Sequence, residues 1–248
     1  MMNDPIGEIL DSIFSAETGW LQPISQMEDD RTAPAFSAVR EFAQLLATRP
    51  DEEEPLQQFL ETHPKFITGM FGIGDDAVLA VLTKPPVGTR LSADFGVLTF
   101  GQGGCGIHLL EIETASEPLF TAAGVPAKRH NHAAGQIRDW HEWVHPNRIS
   151  FMHDMMARIE SLPEPPGKAA NLSFRTRPVS SIQSVWRGFG GYDDPVITYT
   201  LIMGRWAQLN AAHKKRLLQF NKHESKLFEL FTYDQLIRSA LERPYRSW

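Results

Sequence analysis

The sequence predicts an α/β protein, a mixed β-sheet core flanked by helices with a short helical extension at its N-terminus. Three observations carry this. Three runs of β-forming residues joined by glycine-rich turns follow one another between residues 77 and 114. Two further apolar runs, 196–204 and 227–232, stand between helical stripes, as buried strands do. Hydrophobic residues make up 42% of the 248, which fills a sizeable core and excludes wholesale disorder.

The elements follow in order. Residues 1–50 read as helical and acidic, with turn signals at Pro23 and Pro34, and Val39, Phe42, Leu45 and Leu46 mark a helix over 37–50. Asp51 to Glu54 place negative charge at the positive end of a helix that opens around Pro55 and stops before Pro64. AVLAVLT (77–83) is a strand, broken by Pro85, Pro86 and Gly88. RLSADFGVLTF (90–100) alternates, GQGG (101–104) turns, and CGIHLLEIET (105–114) returns, giving an antiparallel meander. Helices are expected over 128–145, ended by Pro146, and over 149–161. Residues 162–180 are proline-rich and read as irregular. A strand over 196–204, a helix over 208–223, a strand over 227–232 and a helix over 232–242 close the chain. Thr232 and Asp234 are the candidate caps of the last helix.

Several function classes are excluded or disfavoured. No run of 18 apolar residues spans a membrane, and the opening MMNDPIGEIL lacks the basic start of a secretory signal. A single cysteine, Cys105, permits neither an internal disulfide nor a CxxC metal knuckle, so a cytoplasmic protein is expected and Cys105 reads as a packed thiol. The net charge of −6 argues against a protein that coats DNA. It leaves room for a nuclease, whose metal-binding acids lower the net charge while a local basic face meets the backbone. Lys128 to Arg148 and Lys214 to Arg216 are locally basic, and each is otherwise read as a solvated helix face. No GxxxxGK[ST] loop is present, and Gly72-Ile73-Gly74 lacks the third glycine of a dinucleotide fingerprint.

Asp94, Glu111 and Glu113 are the candidates for chemistry. Glu111 and Glu113 are two apart on one strand and share a face, and the hairpin brings Asp94 beside them. Three acids on one face repel one another unless they bind a hard cation. Carboxylates suit Mg²⁺ (or Mn²⁺), which keeps its waters and needs few protein ligands. Such an ion polarises a phosphate and lowers the pKa of an attacking water. The plain alternative is a solvated strand face. On the next helix Gln136 and Trp140 share a face, so Gln136 would orient water or substrate, or else is a surface residue beside a core stripe of Ile137, Trp140 and Val144. Among the histidines at 130, 132, 141, 145 and 153, His141 and His145 are the best-spaced pair for zinc, without an HExxH motif or a cysteine partner.

In order and spacing, EEPLQQFLETHPKFI (53–67), ADFGVL (93–98), HLLEIETASEPLFTAAG (108–124), HAAGQIRDWHEWVHPN (132–147), ITYTLIMGR (197–205) and FELFTYDQLIRSA (228–240) resemble the C-terminal domain of the Shedu anti-phage defence proteins. That family is nuclease-like, of the PD-(D/E)xK superfamily. The resemblance runs from about residue 50 to the end and divides the chain into an extension, 1–50, and a nuclease-like domain, 51–248. It implies a restriction-endonuclease-like core and metal-dependent DNA endonuclease activity against phage or foreign DNA. It makes Asp94 and Glu111 metal ligands, with Gln136 beside them. There is one departure. The usual lysine two residues after the glutamate is Glu113 here. Glu113 would hold a second metal, or Lys128 or Arg129 would reach in from the loop, or the site would be weak. The competing readings are an impaired nuclease fold that binds nucleic acid or a phage component, and an interaction protein working through its N-terminal helices. Two-strand cleavage by one site per chain favours a homo-oligomer.

Overall fold

The computed structural model describes residues 33–71, 77–101, 103–162, 174–192 and 194–241. Gly72-Ile73-Gly74, residues 1–32 of the expected extension and most of the proline-rich stretch lie outside these residues.

Helices α1 (Ala33–Thr48), α2 (Glu53–Thr62) and the short α3 (Lys65–Thr68) come first, followed by a 3₁₀ turn, Gly69–Phe71. Strands β1 (Val78–Thr83), β2 (Pro86–Val87), β3 (Leu91–Ser92), β4 (Phe95–Gly101) and β5 (Gly104–Ile112) follow. After α4 (Lys128–Val144) and α5 (Arg148–Glu160) come β6 (Phe174–Arg175), α6 (Val179–Gly188) and β7 (Val196–Ile202). The chain closes with α7 (Ala211–Gln219), a π turn at Phe220–Glu224, β8 (Phe228–Phe231) and α8 (Tyr233–Leu241).

The expected mixed sheet flanked by helices is what forms. Six strands lie in the order β6-β1-β4-β5-β7-β8. The predicted meander is present: β1 pairs β4 and β4 pairs β5, both antiparallel, and Gly101 faces Gly104 at the turn. The β5–β7 and β7–β8 pairs are parallel, so long connections carrying helices separate these strands in sequence.

Alternation along β5 sorts the core. Cys105, Ile107 and Leu109 pack with Ile137, Trp140, Phe151 and Trp186 of α4, α5 and α6. Leu110 and Ile112 point the other way, into a second cluster with Phe42, Phe59, Phe66 and Tyr233. Both faces are buried, which is why strands such as VLAVLT are almost continuously apolar. The 37–50 stripe is confirmed as α1, whose Phe42 stacks on Phe59 of α2 with ring centroids 4.5 Å apart.

The predicted strand over 90–100 divides. Pro86–Val87 and Leu91–Ser92 form a separate two-stranded ladder, and Asp94 sits between that ladder and β4. Part of the span expected to be irregular contains β6, and α6 follows it. The helix expected over 208–223 is α7 continued by the π turn. Cys105 is a packed thiol as expected; burial pushes its pKa up to about 11.

Candidate functional site

The meander and the parallel pair place the acids at one end of the sheet. Asp94 immediately precedes β4, and its backbone N–H donates to the Leu110 carbonyl at 3.0 Å, extending the ladder by one residue. Glu111 lies in β5. Glu113 lies one residue beyond the strand, and its N–H donates to the Ile202 carbonyl of β7 at 2.8 Å. The predicted trio is therefore brought together. All three are buried: 5% of Asp94, 7% of Glu111 and 3% of Glu113 is exposed, which rules out a solvated strand face.

Each carboxylate has a distinct environment. One oxygen of Asp94 accepts the Ile112 N–H at 2.7 Å, and the other is paired with the Lys84 ammonium. Glu111 lies beside Asp94, close enough for the two carboxyl groups to act on one another. Burial pushes Glu111 up to about 9, reinforced by the Asp94 charge and then by the contact with its carboxyl group. Burial also lifts Glu113, to about 7, against the opposing pull of Arg129. The Arg129 Nε of α4 stands 3.5 Å from Glu113 Oε2, close enough for charge pairing yet without a hydrogen bond, so that buried oxygen is left unsatisfied.

Glu53 belongs to the same cluster and was not singled out in the sequence. It opens α2, its pKa is raised, chiefly by burial and then by the Asp94 charge, and its own charge acts on Glu111 and Glu113. The Ala115 and Ser116 N–H groups both donate to the Pro50 carbonyl, tying the segment after β5 to the turn before α2.

Of the flanking candidates, Arg129 meets the acids, and Lys128 is exposed at the first position of α4 with no bond to them. Gln136 is half-buried, two helical turns beyond Arg129, and makes no hydrogen bond to the three acids. Ile137, Trp140 and Val144 are buried, as the core stripe required. His141 and His145 lie with ring centroids 5.7 Å apart, and His130 is a core residue whose Nδ1 meets the Leu119 carbonyl at 3.0 Å. Among the described residues, no group of three or more His, Cys, Asp and Glu side chains is arranged to hold a metal ion.

The donor set nevertheless suits one kind of ion. Asp94 and Glu111 are adjacent hard-oxygen donors, and Glu113 offers a buried oxygen with no hydrogen bond. A divalent cation that keeps most of its waters needs only one or two carboxylates.

Residues of the closing segments ITYTLIMGR and FELFTYDQLIRSA hold the structure around the site. Arg205 donates to both oxygens of Asp234, at 2.7–3.1 Å, and the Trp206 N–H donates to the same carboxylate. Gly204 has φ +62°, and a Cβ there would lie 2.2 Å from Leu119 Cδ1 and 2.9 Å from the Glu117 carbonyl oxygen. The Tyr233 hydroxyl donates to the Glu113 carbonyl at 2.6 Å. These contacts pin the loop after β5, and with it the end of the strand carrying the acids.

The family model described as Shedu protein SduA, C-terminal, matches residues 51–237. No curated protein matches the chain.

Proposed function

The chain belongs to the Shedu family, and from that premise we propose that it is a metal-dependent DNA endonuclease of restriction-endonuclease-like fold, acting against phage or foreign DNA. The observation that carries the reading is the Asp94–Glu111 contact: two carboxyl groups buried against one another at the sheet end, with Glu111 raised to about 9. Burying repelling acids lowers stability, and a site that holds a cation gives the arrangement a purpose. Asp94 and Glu111 would hold Mg²⁺ or Mn²⁺, with Glu113 as the further donor. Bound there, the ion would supply Lewis acidity toward a phosphodiester and a lowered pKa for water.

The chain's own residues do the rest. The Ile112 N–H fixes the orientation of Asp94. Arg129 balances the charge of Glu113 and Glu117, at 3.5 and 3.9 Å. Lys128, exposed at the start of α4, would meet backbone phosphate, and Gln136 on the same helix would orient water or substrate.

The test is cleavage of linear and circular duplex DNA at low salt with Mg²⁺, Mn²⁺ or EDTA, with Glu111→Ala in parallel. Metal-dependent cleavage lost in the variant supports the enzyme. DNA binding that ignores chelator, without product under any metal, supports the impaired nucleic-acid-binding fold instead. Glu113 in the place of the usual lysine favours that second reading.

A further inference from the structure

Phosphodiester hydrolysis builds negative charge on phosphate oxygens, and a site lined with carboxylates opposes it unless a cation faces the phosphate. Position 113 provides none. We propose that Lys84 is that cation, its ammonium contacting the scissile phosphate of bound DNA. This rests on the nuclease reading above.

Four observations converge on Lys84. Its ammonium is already paired with Asp94, one of the two adjacent acids. Its side chain is 49% exposed against 7% for Asp94, so the cation reaches from the buried pair to the surface that DNA would approach. Its backbone is tied to the Asp94 segment. The Lys84 N–H donates to the Asp94 carbonyl at 2.9 Å, and the Ala93 N–H to the Pro85 carbonyl at 3.1 Å, continuing the pairing of Thr83 with Phe95. Finally, Lys84 is the only non-glycine among the described residues with positive φ, +47°, a conformation that disfavours a lysine and persists where its surroundings over-determine it. The other cations are placed differently. Arg129 lies between Glu113 and Glu117, and Lys128 touches none of the acids.

While Asp94 is uncompensated, it holds Lys84. When Asp94 helps to hold a divalent cation, its charge is satisfied and the ammonium is released toward the phosphate. Water adds to phosphorus, one P–O ester bond breaks with its electron pair on the departing oxygen, and a proton from the water ends on that oxygen. Lys84 keeps its protons and stabilises the charge.

The experiment compares wild type, Lys84→Met, Lys84→Arg and Glu111→Ala by Mn²⁺ titration calorimetry without DNA and by single-turnover DNA cleavage. Lys84→Met should bind Mn²⁺ at least as tightly as wild type, because a competitor for Asp94 is gone, yet cleave at least ~100-fold more slowly. Lys84→Arg should recover part of the rate, and Glu111→Ala should lose Mn²⁺ binding. If Lys84→Met loses Mn²⁺ binding as Glu111→Ala does, Lys84 only props the site and the assignment is wrong. If wild type cleaves and Lys84→Met cleaves as fast, the assignment fails while the nuclease stands. If wild type cleaves nothing under any metal, both fail.

Discussion

Glu111 is held neutral near pH 7 chiefly because burial disfavours its charged form, and then because of the Asp94 charge beside it. The consequence for stability follows from linkage. Its folded pKa of about 9 lies above the ordinary 4.5, so between those values the unfolded chain gives up a proton that the folded chain retains. Stability from this group is full below about pH 4.5 and is lost as pH rises toward about 9. Glu113 adds to the decline up to about 7. Metal-free protein should therefore melt at progressively lower temperature across this range, with Glu111→Gln flattening the profile. A variant as steep as wild type in calorimetric scans would refute the assignment. Each kcal/mol relieved would raise the melting temperature by roughly 2–4 °C for a chain of this size. Added Mg²⁺ should raise the melting temperature of wild type at pH 8 and leave Glu111→Ala unmoved.

At this scale the sequence was only partly legible. The i, i+2 spacing drew attention to Glu111 and Glu113, and the structure buries both, although Glu113 lies one residue beyond β5. Lys84 and Glu53 escaped it. Their membership depends on which strand end and which helix start meet the hairpin, and no local pattern records that register.

Among the elements, β1 and β7 were readable from their nearly continuous apolar and β-branched runs, and β5 and β8 from short apolar runs set off by turn or helix signals. The 90–100 run was misjudged as one strand. Pro85 and Pro86 force a local ladder at Val87 and Leu91, and the chain must turn again at Asp94 before joining the sheet. Helix α6 was missed because only Ile182 and Trp186 are buried in its ten residues, too short a stripe to see. Thr232 and Asp234 were the candidate caps of the last helix. Thr232 directly precedes it, and its N–H donates to the Gln235 side-chain oxygen at 2.8 Å, whereas Asp234 accepts from Arg205. The Arg205–Asp234 pair is buried on both sides, so removing one partner strands a charge. Arg205→Met and Asp234→Asn should each cost about 3–5 kcal/mol in urea unfolding, with the double variant costing less than the sum. Additivity would show that the two residues act separately. Gly204→Ala should lower stability as well, since its positive φ and its contacts with Leu119 and Glu117 both resist a Cβ.

For the whole molecule, the charge of −6 means that the DNA contact proposed above must rest on local cations. Binding should be weak at physiological salt and strengthen steeply as salt falls. Lys128→Ala should weaken binding to all sequences alike and reduce the slope of log affinity against log salt by about 1, measured by fluorescence anisotropy in EDTA. An unchanged slope would remove Lys128 from the contact surface. Among the described residues no helix is long and apolar enough to cross a membrane.

The contacts that pin the end of β5 also bear on biosynthesis. Glu113 is tied through its N–H to Ile202 and through its carbonyl to Tyr233, residues translated long after it. The parallel pairing of β5 cannot form until β7 has left the ribosome, and the Tyr233 bond must wait for α8. A nascent chain that stops short of β7 and α8 therefore carries the acids without the scaffold that gathers them, and the cluster assembles only once both elements have been made.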